Sequence, residues 1–89
     1  MANNTSTPAR QLLTTSRQVG ELLRRRRKAR GISQQELASK LGISQGRLSA
    51  LENDPASMPL ARLIAIVNLL GLELTLMDKA EKSRVKSEW

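Results

Sequence analysis

Apolar residues recur at helical spacing in several stretches of this chain between residues 16 and 70, and polar or glycine-containing turns separate the stretches. In each of them leucine, isoleucine, valine or alanine stands three or four positions from the next, which is the spacing of one helix face. After Gly71 the pattern changes to strict alternation over residues 72–76, which predicts a strand. The chain is therefore expected to be mainly helical, with a single strand after its last helix.

Helix-start signals precede the first two of these stretches. Thr15 is followed three residues later by Gln18, and Ser33 is followed three residues later by Glu36. Both pairs fit a capping box, in which the two side chains each bond to the other residue's backbone N–H. The first helix is expected to run from about Ser16 to Arg30, and the second to begin just after Ser33.

Residues 33–52 combine two short helical patterns with a glycine turn. Gly42 can leave a helix in the left-handed conformation at little steric cost, and Ser44 can cap the helix that follows. Leu48 and Leu51 give that helix an inward side. This spacing is typical of a DNA-binding helix-turn-helix, whose second helix lies in the major groove. An ordinary helical hairpin is the alternative, but it leaves the polar start of the second helix unexplained.

The same stretch resembles the helix-turn-helix of the lambda-repressor-like (XRE) family. The resemblance implies an all-α, lambda-repressor-like domain of four to five helices over residues 15–78. It also implies that Arg27 forms an ion pair with Glu52, although Arg27 could instead be one more solvated cation. The residues that carry the resemblance are Gln34, Ala38, Gly42, Leu48, Leu51 and Glu52.

The positive charge of the chain is concentrated in the first helix. The net charge is +7, and residues 17–30 contain seven cations and one anion. Such a dense basic stretch attracts a polyanion. Arg26 falls on the inner face, where its aliphatic stem can pack while its head reaches water. The other cations, which either contact phosphates or stay in solvent, are Arg24, Arg25, Lys28 and Arg30.

Residue types that are absent exclude several classes of function. The chain has no cysteine and no histidine, so disulfides, thiolate metal sites and the commonest general base are excluded. We expect no enzymatic activity, no cofactor and no metal. The one aromatic residue is Trp89, which disfavours RNA-binding modules that stack unpaired bases on aromatic rings. No apolar run is long enough to span a bilayer, so a cytoplasmic, nucleoid-associated protein is expected.

Polar residues at the starts of the second and third helices are predicted to contact double-stranded DNA. The Gln34 amide can reach a phosphate next to a helix N-terminus. On the third helix Gln45 can recognise adenine and Arg47 can recognise guanine, while Gly46 lets the backbone approach closely. The remaining candidates for DNA contact are Ser33, Lys40 and Ser44.

The predicted strand requires a partner, because a lone strand leaves its backbone groups unpaired. Pairing with the same strand of a second copy about a two-fold axis would give a homodimer whose recognition helices match a palindromic operator. On the closing helix Leu60 and Ile64 are expected in the core, whereas Ile66 and Leu69 lie off the inner stripe and are expected to face the second copy. The predicted dimerisation residues are Leu72, Leu74, Leu76, Ile66 and Leu69.

The order of elements, together with the final Glu88-Trp89, resembles the HipB-type antitoxins. That resemblance implies a homodimer with a shared two-stranded sheet, which represses its own operon and neutralises a HipA-type serine/threonine kinase toxin. Trp89 is the expected anchor for the toxin, since exposed aromatic residues suit partner pockets. Residues 1–14 and 79–89 are predicted to be flexible tails. Two alternatives are a phage-type or metabolic repressor of the same fold without a toxin partner, and a protein-interaction module with vestigial DNA contacts.

Overall fold

Four α-helices and one 3₁₀ turn form the fold over residues 10–79, the part of the chain that the computed structural model describes. The predicted all-α class is confirmed, and residues 1–9 and 80–89, with most of both predicted tails, lie outside the described part. The elements are α1 (Ser16–Ala29), α2 (Gln34–Leu41), α3 (Gln45–Asn53), the 3₁₀ turn (Pro55–Ser57) and α4 (Leu60–Leu69).

Both predicted capping boxes are present. The Thr15 hydroxyl accepts a hydrogen bond from the Gln18 N–H at 3.3 Å, and the Gln18 side chain accepts one from the Thr15 N–H at 3.1 Å. At the start of α2 the Ser33 hydroxyl accepts from the Glu36 N–H at 3.0 Å, and the Glu36 carboxylate accepts from the Ser33 N–H at 2.8 Å. These bonds satisfy N–H groups that a helix leaves open at its first turn.

The turn between α2 and α3 has the geometry that its glycine predicts. Gly42 is left-handed with φ 74°, and the next residue, Ile43, donates its N–H to Ala38 C=O at 3.0 Å. Ser44 then caps α3 by accepting a hydrogen bond from the Arg47 N–H at 3.1 Å. Ala38, whose C=O accepts the Ile43 N–H, is itself buried and adds little bulk to the core beside this turn.

Side chains from all four helices meet in one core. The face of α4 that enters it contains Leu63, Ile66, Val67 and Leu70. The prediction that Ile66 faces a second copy is wrong, because Ile66 is 1% exposed. The largest fully buried side chains are Leu23, Leu37, Leu48, Ile66 and Leu70.

The inner face of α4 is rotated relative to the one that the sequence favours. Leu60 and Ile64 were expected in the core, but they are 66% and 43% exposed. Both this face and the expected one keep the i, i+3, i+4, i+7 spacing, so periodicity alone cannot choose between them. The choice depends on where α1 and α2 leave space against α4.

The chain leaves α4 through a left-handed Gly71 and continues without a helix or strand to residue 79. Leu72 packs partly against the core, whereas residues 73–79 are exposed. In residues 10–79 no strand is formed, so the predicted strand and the intersubunit sheet are not part of the single chain. None of the described helices combines the length and apolar character that crossing a membrane requires.

Candidate DNA-binding site

A buried ion pair joins α1 to the end of α3. Arg27 Nε lies 2.8 Å from Glu52 Oε2, and Arg27 Nη2 donates to Glu52 Oε1 at 3.2 Å, so the contact has the two-pronged form that arginine makes with a carboxylate. The third arginine nitrogen, Nη1, donates to Ile32 C=O at 3.0 Å. Arg27 is 6% exposed and Glu52 is 4% exposed. The pair that the resemblance implied is therefore formed, and it is largely buried.

This ion pair continues into the start of α3 through two glutamines. Gln34 Nε2 donates to Glu52 Oε1 at 2.9 Å, and Gln45 Nε2 donates to Gln34 Oε1 at 3.1 Å. Because the Glu52 carboxylate can only accept, it fixes which end of the Gln34 amide faces it. That orientation in turn leaves Gln45 with its carbonyl oxygen and one amide hydrogen free to face outward. Gln34, predicted as a phosphate contact, thus also orients Gln45.

The electrostatics keep Glu52 ionised. Burial by itself raises the pKa of the Glu52 carboxyl. Hydrogen bonds from Arg27 and Gln34, followed by the charges of Arg27 and Arg24, lower this pKa by more than burial raises it. The net result is a pKa below the ordinary value for glutamate. At neutral pH Glu52 therefore remains an acceptor for its donors, and the orientation of the glutamine amides is maintained.

Arg24 packs at the edge of the same cluster. Its Nη2 donates to Asn53 Oδ1 at 2.8 Å, and its Nε lies 3.6 Å from Glu52 Oε1. Arg24 is partly exposed, so one side of its guanidinium holds the end of α3 while the other faces solvent. The contact with Asn53 was not predicted, because nothing in the residue spacing relates the two positions.

An open polar groove lies where α1, the start of α2 and the start of α3 meet. The first turn of α2 lines this groove, and the positive end of a helix dipole suits a phosphate. The groove brings together the predicted contacts Ser33, Gln34 and Gln45 and three cations of α1. It is lined by Arg24, Arg27, Lys28, Ser33, Gln34, Gln35 and Gln45.

Other predicted DNA contacts occupy different positions. Ser44, Gly46 and Arg47 are exposed at the start of α3, and a Cβ added to Gly46 would meet nothing within 4 Å. The Ser44 hydroxyl is also used as the cap of the helix. Lys40 does not line the groove, and it borders a second open depression along α2 with Gln35, Glu36 and Ser39.

The structure also identifies residues that sequence reasoning missed or misjudged. A Cβ at Gly20 would lie 2.8 Å from both Glu52 C=O and Pro55 Cγ, so only glycine lets α1 approach the end of α3 this closely. A glycine inside a helical pattern was the available signal. Arg26 was expected to reach water, but its Nε donates to Leu70 C=O at 3.0 Å.

The predicted surfaces for protein partners are described only in part. Leu69, Leu74 and Leu76 are exposed, and Leu76 is 97% exposed, while Leu72 is half-buried. Trp89 lies outside the described residues.

Comparisons with known proteins give one consistent result. A helix-turn-helix family model matches residues 23–77. The chain is 34% identical to Antitoxin HipB of Escherichia coli K12 over 71 residues, which are 80% of this chain and 81% of that protein. It is 33% identical over 70 residues to the HTH-type transcriptional regulator RamB of Mycobacterium tuberculosis, of which it spans only 15%. A crystal form of a HipB-O1-O2 complex contains a chain with TM-score 0.70 and 34% identity, covering 76% of this chain and 99% of that one.

Proposed function

Since the chain belongs to the HipB family of helix-turn-helix, DNA-binding regulators, we propose that it is the antitoxin of a toxin–antitoxin operon. In this role it binds an operator before its own genes and represses them. It also binds and neutralises a HipA-type serine/threonine kinase toxin. The family membership supports both halves of the proposal, and the described residues bear on the DNA half.

The observation that carries the DNA half is the chain of contacts from the buried Arg27–Glu52 pair through Gln34 to Gln45. It holds an amide at the start of α3 with its free acceptor and donor outward, as bidentate recognition of adenine requires. Preorganisation of this kind lowers the entropy that the side chain loses on binding.

The groove beside this amide supplies the contacts that do not depend on sequence. A phosphate placed there would meet the first N–H groups of α2 and the cations Arg24 and Lys28. Such contacts fix the position of the protein on the duplex, while base contacts select the sequence. In our proposal Gln45 and Arg47 make those base contacts, and Gly46 lets the backbone of α3 come close to them.

Binding to a palindrome requires two copies. We propose that residues 72–76 of two chains form strands that pair about a two-fold axis, which supplies each strand with the partner that it lacks in the single chain. The two α3 helices would then enter successive major grooves about 34 Å apart, one turn of DNA.

The first test compares Gln45→Ala with the unchanged protein on two DNAs, the region upstream of its own gene and a duplex of random sequence. Loss of a bidentate base contact costs about 1–3 kcal/mol, so affinity for the upstream DNA should fall by roughly 10- to 100-fold. Affinity for random DNA should stay the same. Fluorescence anisotropy titrations at one fixed salt concentration measure both.

Gln11→Ala is the matched control, because it removes the same side chain from an exposed position outside the groove and should change neither affinity. An equal loss on both DNAs for Gln45→Ala would contradict direct recognition by Gln45. Failure of the unchanged protein to prefer the upstream DNA would contradict the repressor itself.

The toxin half is tested by deleting Trp89. The shortened chain should bind DNA as before but capture less of a co-expressed HipA-type kinase in a pull-down, because the proposed aromatic anchor is gone. Trp89→Phe should retain part of the capture, since it keeps an aromatic ring. Unchanged capture by the chain without Trp89 would show that the toxin contact lies elsewhere.

A second candidate is a repressor of the same fold without a toxin partner. The similarity to the transcriptional regulator RamB favours it, although this chain spans a small part of that protein. Purification of the tagged chain from its host separates the two candidates. A kinase-sized companion supports the antitoxin, and its absence at stoichiometric amounts supports the simple repressor.

A further inference from the structure

The arginine-rich part of α1 points its side chains in two directions. Arg24 and Arg27 reach the end of α3. Arg26, in the last turn of α1, and Arg30, the residue that follows the helix, reach the end of α4 instead. The run of cations thus serves two distinct elements of the fold.

The contacts at the end of α4 form a clamp, which we define as Arg26, Arg30, Leu70 and Gly71. Arg26 Nε donates to Leu70 C=O at 3.0 Å, and Arg30 Nη1 donates to the same oxygen at 3.3 Å. Arg26 Nη2 makes a longer contact of 3.4 Å with Gly71 C=O. Cations are favourable here, because the last carbonyls of a helix lack partners and carry the negative end of its dipole.

Gly71 is required for this clamp on two grounds. Its φ of 75° is left-handed, which any other residue adopts only with strain. In addition, a Cβ at this position would collide with the Arg30 guanidinium and lie 3.4 Å from Arg26 Nη2. The glycine therefore both turns the chain out of α4 and leaves space for the arginine heads.

The clamp lies where the chain passes from residues with backbone hydrogen bonds to residues that are exposed to solvent. Among the described residues the last backbone-to-backbone hydrogen bond runs from Leu72 N–H to Val67 C=O at 2.9 Å. Every residue from Glu73 to Lys79 is exposed. The direction in which segment 72–76 leaves the domain is consequently set at residues 70–72, and the two arginines bind the first two of these residues.

We propose that Arg26 and Arg30 are positioning residues that fix the angle between the recognition helix α3 and segment 72–76. The first helix is suited to this, since it is held to α3 by Arg24 and Arg27 and to the exit of α4 by the clamp. In a dimer that pairs through 72–76, this angle determines how far apart the two recognition helices lie. The clamp thereby selects the half-site spacing of the operator. This inference rests on the proposed dimer.

The test uses Arg26→Gln/Arg30→Gln, with Arg17→Gln/Arg25→Gln as a control that removes the same charge from exposed positions of the same helix. The chain has no cysteine, so Ser39→Cys on the exposed side of α2 gives one spin-label site per copy. Electron–electron distance measurement on the dimer should give a narrow distribution for the parent and the control, and a broadened one for the clamp variant.

DNA affinity as a function of half-site separation distinguishes a positioning role of the two arginines from a purely stabilising one. A half-site selected from a random duplex library with the parent protein is placed in inverted pairs at a series of separations. Linked binding gains on the order of 10²- to 10⁴-fold in affinity and loses it where geometry forbids simultaneous contact. The parent and the control should show a sharp optimum of separation, and the clamp variant a flattened one.

The outcomes are distinguishable. A clamp variant that is dimeric and helical by circular dichroism, yet keeps the narrow distribution and the sharp optimum, overturns the clamp and leaves the proposed dimer intact. A parent without any inter-label distance overturns the dimer and the clamp together. If the double variant loses helicity, Arg26→Gln and Arg30→Gln are measured singly in its place, and an unchanged optimum in both overturns the clamp.

Discussion

Arg27 and Glu52 show how one buried charge pair can serve both stability and recognition. Two ions removed from water need excellent geometry and further hydrogen bonds to offset the loss of hydration. Here Ile32 C=O and Gln34 Nε2 provide those additional bonds. The second of them leads directly to Gln45, so the residue that stabilises the buried carboxylate also orients the proposed base contact.

We predict that Arg27→Met destabilises the protein by about 3–5 kcal/mol, because it leaves the Glu52 charge buried without its main partner. Arg27→Met/Glu52→Met should recover most of that loss, since an apolar pair of similar size needs no hydration. Urea unfolding at pH 7 followed by circular dichroism measures both free energies of unfolding. A single variant as stable as the parent would contradict a structural role for the pair.

The lowered pKa of Glu52 also predicts how stability depends on pH. Because the folded pKa lies below the unfolded value of about 4.3, the ionised carboxylate stabilises the fold above that pH. Its contribution is lost as the pH falls from about 4.3 through the folded pKa. The midpoint of thermal unfolding should therefore drop in this range for the parent and drop less for Arg27→Met/Glu52→Met. Parallel curves for the two proteins would assign the acid sensitivity to other carboxylates.

At the scale of elements, glycines decide how closely the helices approach and where they end. Gly42 ends α2 in a left-handed conformation, which was predictable from its place between two helical patterns. Gly20 has ordinary helical geometry, and its role is visible only because Glu52 C=O and Pro55 lie against it. One glycine is needed for its backbone freedom and the other for its lack of a side chain.

We predict opposite effects for two glycine substitutions. Gly20→Ala should destabilise the fold by about 1–3 kcal/mol, since the added methyl overpacks against backbone and a rigid proline ring. Gly46→Ala should be neutral or stabilising by up to about 1 kcal/mol, because it improves helix propensity and meets no neighbour within 4 Å. Thermal and urea unfolding measure the stability of each variant against that of the parent protein. Stabilisation by both substitutions would mean that α1 does not lie this close to the end of α3.

At the scale of the whole molecule, the described fold leaves apolar surface uncovered at its C-terminal side. Leu69 and Leu74 are exposed and Leu76 is almost fully so, on and after the last helix. For residues 73–76 no backbone hydrogen bond is formed within the described chain, and such open backbone groups can pair with another strand. A second copy that pairs through 72–76 would satisfy the backbone and cover these leucines at once, which is why the proposed repressor is a dimer.

We predict that Leu74→Asp disrupts the dimer, because it places a charge on the side of the strand that would be covered. Thr75→Asp introduces the same charge on the opposite side of an alternating strand and should leave the dimer intact. Sedimentation velocity at micromolar concentration should find dimers for the parent and Thr75→Asp, and monomers for Leu74→Asp. A monomeric parent would contradict the dimer, and a monomeric Thr75→Asp would contradict the predicted strand face.

Local features of the fold were predictable from the sequence. The capping boxes, the Ser44 cap and the left-handed Gly42 each depend on residues within four positions of one another, so their chemistry is contained in a short stretch of sequence. The choice of inner face on α4 was not predictable from the sequence. Leu60 and Ile66 have similar hydrophobicity and both fit a helical stripe, and only the packing of the other helices buries one and exposes the other.

The sequence itself determined three helix starts, the turn at Gly42, a basic first helix and a polar start to α3, because propensity, caps and charge act between near neighbours. The pairing of Arg27 with Glu52 came from a family resemblance rather than from spacing. Tertiary structure alone decided that Gln34 connects that pair to Gln45, that Arg24 holds Asn53 and that Arg26 and Arg30 bind the end of α4. These contacts join residues 11 to 44 positions apart, and the distance between such residues is set by how the helices pack.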